Sequence, residues 1–150
     1  MKRAIRVIEA GLLLALISGC ANTSLTSDVD PSADLSTLQN FYVARLPADE
    51  RGIEKIIEDE LNAIGKHAFS GDDPKPPSPV DAVVTYEDKW MWDITMYMLE
   101  LEIDLRDPDT NYEFATGRSY RTSLARKSPE EMVREVLAKI FAGQLAGELE

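Results

Sequence analysis

Thiols and imidazoles are almost absent from this 150-residue chain. Cys20 is the single cysteine and His67 the single histidine. One cysteine cannot close an intramolecular disulfide, and one histidine cannot supply a histidine dyad or a multi-histidine metal centre. No glycine-rich phosphate loop occurs. The nucleophile-elbow pattern Gly-x-Ser-x-Gly fails at its last place, where Arg121 follows Gly117-Arg118-Ser119-Tyr120. Positive charge is scarce: 16 basic residues stand against 27 acidic ones, a net charge of −11. Such a surface disfavours nucleic acid and anionic lipid head groups. No apolar run reaches the about 20 residues that a membrane-spanning helix needs.

What is present begins with a leader. Lys2, Arg3 and Arg6 precede the apolar stretch Ala10–Ile17, and Ser18-Gly19 lead into Cys20. A basic start, a short apolar core and small residues before a cut are the parts of a secretory signal peptide. The ending Ile17-Ser18-Gly19-Cys20 resembles the lipobox of bacterial lipoproteins. The resemblance implies diacylglycerol on Cys20, cleavage before it, and attachment to a membrane through that lipid. In proteins of this kind an aspartate after the cysteine holds the chain in the inner membrane. Ala21 stands here, which implies the outer membrane, facing the periplasm. The leader takes three basic residues and one acidic residue with it, so the mature chain carries a net charge of −13. The expected organisation is a signal peptide over 1–19, a lipidated cysteine and flexible Ser/Thr/Asp-rich tether over 20–36, and one periplasmic domain over 37–150.

Within that domain, residues 38–46 read as a first strand. Pro47-Ala48-Asp49 then opens a helix whose apolar side is Ile53, Ile56, Ile57, Leu61 and Ile64 and whose stop is Gly65. A short strand is expected over 66–70, and a proline-rich connector over 71–79. Residues 81–86 alternate as a strand, and residues 94–105 do so most clearly, with Leu99, Leu101, Ile103 and Leu105 on one face. A turn at Asp107–Thr110 leads into a strand over 112–122, with Leu105 expected opposite Tyr112 and Ile103 opposite Phe114. Ser128-Pro129-Glu130-Glu131 opens a last helix by a capping box, with Met132, Val133, Val136, Leu137, Ile140 and Phe141 on its apolar face. The expected fold is α+β: a two-layer sandwich of four or five mostly antiparallel strands with both helices on one face.

Candidate chemistry is sparse. Asp107-Pro108-Asp109-Thr110-Asn111 imitates a calcium loop, but Tyr112 stands at its sixth place and Arg118 at its twelfth. Met91, Met96 and Met98 are soft ligands in principle; packing explains them without a metal, and no metal or cofactor is expected. Glu100, Glu102 and Asp104 follow from strand alternation. The unusual stretch is Trp90-Met91-Trp92-Asp93, which holds both tryptophans. If a strand runs through it, the tryptophans continue the face of Ala82, Val84 and Tyr86 into the core. If the charged Glu87-Asp88-Lys89 turns the chain, they sit exposed at a hairpin tip. Tryptophan in a small domain is more often core, yet it is enriched where partners bind. Trp90, Met91, Trp92, Asp93 and Tyr97 are therefore the candidate partner surface. Arg118, Arg121, Arg126 and Lys127 form a second candidate, for an anion, unless they pair internally.

Asp28-Val29-Asp30-Pro31-Ser32-Ala33-Asp34-Leu35, followed by Phe41-Tyr42, resembles the mature start of a broad family of small bacterial lipoproteins. Asp81-Ala82-Val83-Val84 and Leu101-Glu102-Ile103-Asp104-Leu105, then Asp107, are similar to its later strands. The Trp90–Asp93 stretch and the basic 118–127 segment depart from it. The resemblance implies a compact α/β domain and brings no catalytic residues. The function expected is non-enzymatic: a lipid-anchored protein that binds another envelope component, an envelope protein foremost. A carrier of a small apolar or lipid ligand, lined by Trp92, Met96, Tyr97 and Met98, is the alternative. A hydrolase using Asp93, Glu100 or Glu102 is a third reading.

Overall fold

The computed structural model describes residues 22–145. The leader 1–19 and Cys20 lie outside the described residues. One six-stranded sheet runs through the domain in the order β1-β6-β5-β4-β2-β3, where β1 is Ser24–Val29, β2 Asn40–Ala44, β3 His67–Gly71, β4 Ala82–Asp93, β5 Thr95–Arg106 and β6 Glu113–Tyr120. β2 is parallel to both β3 and β4; the remaining pairs are antiparallel. Two helices, α1 (Ile53–Ala63) and α2 (Pro129–Leu145), pack against each other and against one face of the sheet. The fold is α+β as expected, with six strands rather than four or five.

The additional strand is β1, which corrects the reading of 20–36 as a tether. Leu25 and Val29 alternate toward the core, while Ser24, Thr26 and Asp28 face solvent. Its polar residues disguise it, but it covers what would be the open edge of β6. The aspartates that follow are turn chemistry. Asp30 accepts from the backbone N–H and hydroxyl of Ser32, and Asp34 does the same for Ser36. The domain therefore takes in residues well before 37.

α2 forms where periodicity and capping place it; α1 begins at Ile53, later than the expected opening at Pro47–Asp49, and Ile64 lies past its end, exposed. Ser128 and Glu131 make the reciprocal pair of a capping box, with Glu131 N–H donating to Ser128 Oγ at 3.2 Å and Ser128 N–H to Glu131 Oε2 at 2.9 Å. All six apolar positions read for α2 are buried. α1 is capped from upstream: the Asp49 carboxylate accepts from the N–H groups of Arg51, Gly52 and Ile53 and from the Tyr86 hydroxyl. Burial pushes the Asp49 carboxyl up, but the bonds from Tyr86 and the loop N–H groups outweigh it and hold it below its ordinary value. Gly65 ends the helix at φ +84.

The β5–β6 register differs from the one expected. Leu105 faces Ala115 and Ile103 faces Gly117, not Tyr112 and Phe114. Asp107 folds the turn back on itself, accepting from Asp109 N–H, Thr110 N–H and the Thr110 hydroxyl, and Asn111 adopts φ +60. The longer loop brings the small residues Ala115, Gly117 and Ser119 to the helix side, all buried. There α2 comes close. A Cβ at Gly117 would lie 2.8 Å from Ile140 Cγ1 and 2.9 Å from Val136 Cγ1. Gly117→Ala is expected to push α2 off the sheet and to lower stability by about 1–3 kcal/mol. Urea unfolding with an unchanged m-value checks this.

Candidate functional site

β4 and β5 are each 12 residues long, and their neighbours are shorter. β2 accompanies β4 from Ala82 to Val84, and β6 accompanies β5 up to Glu100, which pairs with Tyr120. Beyond the Lys89–Glu100 pair the two strands continue alone through Trp90–Met98, Met91–Tyr97, Trp92–Met96 and Asp93–Thr95, and reverse at Ile94. This two-stranded arm extends past the sheet by five residues of β4 and its turn, about 16 Å at 3.3 Å per residue.

The register shift between Lys89 and Trp90 leaves Leu99 as an extra residue on β5. The bulge keeps Met98 and Met96 on the helix side, opposite Trp90 and Trp92, and moves Leu99 out of the face it was expected to share with Leu101. Tyr97 and Met91 consequently lie on the other face. Charged Glu87-Asp88-Lys89 does not turn the chain; the strand runs through. Even so, the tryptophans do not both enter the core. Trp90 packs at its margin with its indole N–H donating to Asp88 and the Arg51 guanidinium 4.1 Å over its ring. Trp92, one pair further out, is 68% exposed.

Exposure rises toward the tip. Met91 and Met96 are each 45% exposed and Ile94 is 87% exposed. Leu124, 81% exposed, stands on the 3-10 turn Ser123–Ala125. Arg126 ties that turn to the arm: it donates to Ser123 O at 3.1 Å, Asp93 O at 2.6 Å and Thr95 Oγ1 at 2.5 Å, and covers the Tyr97 ring at 4.5 Å. Tyr97 is therefore buried, whereas the rest of the expected partner surface beyond Trp90 is exposed.

The four basic residues considered for an anion do not form one patch. Arg118 and Lys89 both bind the Glu100 carboxylate. Arg121 and Lys127 both bind Glu135 on α2, which also accepts from the Ser119 hydroxyl at 2.5 Å. Arg126 lies 3.5 Å from the Asp93 carboxylate. Each of the four cations has a carboxylate partner within the domain. Burial raises the Glu135 carboxyl, but the bonds from Arg121, Lys127 and Ser119 prevail and lower it. The Glu100 carboxyl is likewise raised by burial and lowered further by Arg118 and Lys89. Glu102, two residues on, is raised by burial and by Asp104, with Arg118 opposing. The expected ligand lining also divides: Trp92 and Met96 share one face of the arm, Tyr97 lies on the other, and Met98 belongs to the core. Among the described residues no metal-ligating cluster of His, Cys, Asp and Glu occurs.

No family model and no curated relative matches the sequence. In fold, the chain is similar to the PelC dodecamer from Paraburkholderia phytofirmans. A point-substituted form of that protein has a TM-score of 0.56 at 14% identity, over 81% of this chain and 95% of that one. A second crystal form gives 0.55 at 12% identity, over 81% and 96%. A PDZ domain protein from Parabacteroides distasonis gives 0.49 at 11% identity, over 83% of this chain and 37% of that one. The PelC likeness shows a shared fold and carries no residues across.

Two outcomes follow from this geometry. Ile94 sits at φ +61, which a β-branched residue adopts under strain. Ile94→Asn is expected to raise stability by about 1 kcal/mol, because asparagine tolerates this conformation; thermal unfolding measures it. Glu135, lowered in the fold, contributes stability above its unfolded value of 4.5, and that contribution is lost as pH falls through its lower folded value. Stability is expected to decline on acidification below about pH 4.5. The loss should be shallower in Glu135→Gln, as read from denaturation midpoints between about pH 3 and pH 7.

Proposed function

We propose that the chain is a non-enzymatic lipoprotein, anchored through Cys20 on the periplasmic face of the outer membrane, whose β4–β5 arm docks to another envelope component. The observation that carries this reading is the arm itself. A two-stranded ribbon is marginal in water, and this one bears Met91, Trp92, Ile94 and Met96 in the open. Clustered exposed apolar side chains mark interaction sites. The anchor rests on the leader and on Ile17-Ser18-Gly19-Cys20.

The non-enzymatic reading is supported by two of the three candidate carboxylates, Glu102 being the one without an ion pair among the described residues. Glu100 is engaged by two cations and Asp93 by Arg126. The carrier reading loses support because its four lining residues are split between two faces and the core.

Photo-crosslinking residues at positions 92, 94 and 96 test the docking in living cells, with position 109 on the opposite end as control. Adducts to protein or lipid are expected from the three tip positions and not from 109. A folded, acylated protein that yields no adduct from any tip position would sink the reading.

A further inference from the structure

We infer that the component met by the arm is the bilayer that holds the Cys20 lipid, and that tip insertion fixes the orientation of the domain on that membrane. This inference rests on the docking reading and names its partner as a lipid surface. It starts from where the chain enters the sheet. Ser24 pairs with Tyr120, and Tyr120 pairs with Glu100. These three residues, with Lys89, form the last row of the sheet before the arm begins. The anchored end of the chain and the apolar tip thus lie at the same end of the domain.

The lengths agree. Ala21, Asn22 and Thr23 separate Cys20 from Ser24. Four Cα steps span at most about 14 Å when fully extended. The arm reaches about 16 Å beyond the Ser24 row. With the sheet upright over an acylated Cys20, the linker is too short to hold the tip clear of the membrane.

The chemistry of the tip fits lipid. Tryptophan favours the membrane–water interface, and Met91, Ile94, Met96 and Leu124 are apolar. The nearest charges, Asp93 and Arg126, neutralise one another. Since the mature chain is acidic, attraction to anionic lipid does not drive the contact; apolar burial at a zwitterionic surface does. A protein partner fits less well. Stable protein interfaces bury about 800 Å² and 20–30 residues on each side, and a narrow ribbon with four exposed apolar side chains, with Leu124 on the neighbouring turn, is small for that.

The test uses full-length, acylated protein reconstituted into phosphatidylcholine vesicles. Acylation of Cys20 leaves no free thiol, so Ile94→Cys and Asp109→Cys each give one site for a nitroxide label. Both positions are exposed, and neither substitution disturbs the core. The label at 94 should be shielded several-fold from a water-soluble nickel chelate relative to the label at 109, and more accessible to oxygen. Equal accessibility of the two labels to the chelate would overturn the inference. If that result came with a discrete protein adduct from positions 92 or 94 in cells, docking would stand with a protein as partner and the membrane contact would fall. If no adduct formed either, both would fall. An intact mass without acyl chains on Cys20 would also overturn the membrane contact, since the linker argument would lose its fixed point.

Discussion

β4 and β5 stay paired over their whole length while the strands beside them stop, and most of the structure is arranged around that mismatch. The lower half of the ribbon is the centre of the sheet. Ala82, Val84 and Tyr86 on one strand and Leu101, Ile103 and Leu105 on the other supply the floor on which both helices rest. Beyond Trp90 and Met98, which still pack on the core, the ribbon has no strand beside it among the described residues. A strand keeps its two-residue alternation whether or not a core is present. The bulge at Leu99 breaks that alternation once on β5, and its effect is specific: it keeps the methionines of the arm on the tryptophan side and turns Tyr97 to the opposite face.

The base of the arm is secured where its tip is not. Tyr86 accepts from Leu46 N–H at 3.1 Å and donates to Asp49 at 2.7 Å, which fixes the loop before α1 along the free edge of β4. That loop lays Arg51 over Trp90. On the other face, the segment after β6 lays Arg126 over Tyr97. Two guanidinium groups thus clamp two aromatic rings on opposite sides of one ribbon. Each such contact is worth about 0.5–2 kcal/mol, depending on how far it is shielded from water. Past these clamps Trp92, Ile94 and Met96 stand exposed. The clamped part of the arm ends about where its apolar surface becomes exposed.

Much of this is legible in the residues. The capping box at Ser128, the apolar stripe of α2, the stripe of α1 and the stop at Gly65 are local signals, and local hydrogen bonding and periodicity decide them. What escapes depends on neighbours. β1 is polar on its exposed face and gains its place from the edge of β6 that it covers. The β5–β6 register is set by the Asp107 side chain and by Asn111, so matching apolar to apolar across a shorter turn gives the wrong partners. For the tryptophans, the choice between core if the strand continues and exposed if it turns assumes that a strand ends where its sheet ends. Here the strand outlasts the sheet, so Trp90 and Trp92 share a strand and a face and still differ in burial.

The β4–β5 and β5–β6 turns allow a comparison that bears on what the arm is for. Both place a non-glycine residue in the left-handed region, Asn111 at φ +60 and Ile94 at φ +61. Asparagine is among the residues that accept this conformation, because its short polar side chain bonds locally; isoleucine is among those that resist it most. At 111 the residue and the backbone agree. At 94 they conflict, and the side chain that causes the conflict is 87% exposed, so no contact within the domain compensates for it. A residue that is strained by its backbone and unfavourably exposed to water contributes little to folding. Local conflicts of this kind collect where a surface meets something outside the fold. The conflict at 94 lies at the outermost point of the arm, between Trp92 and Met96, at the end of the domain where the chain from Cys20 enters the sheet.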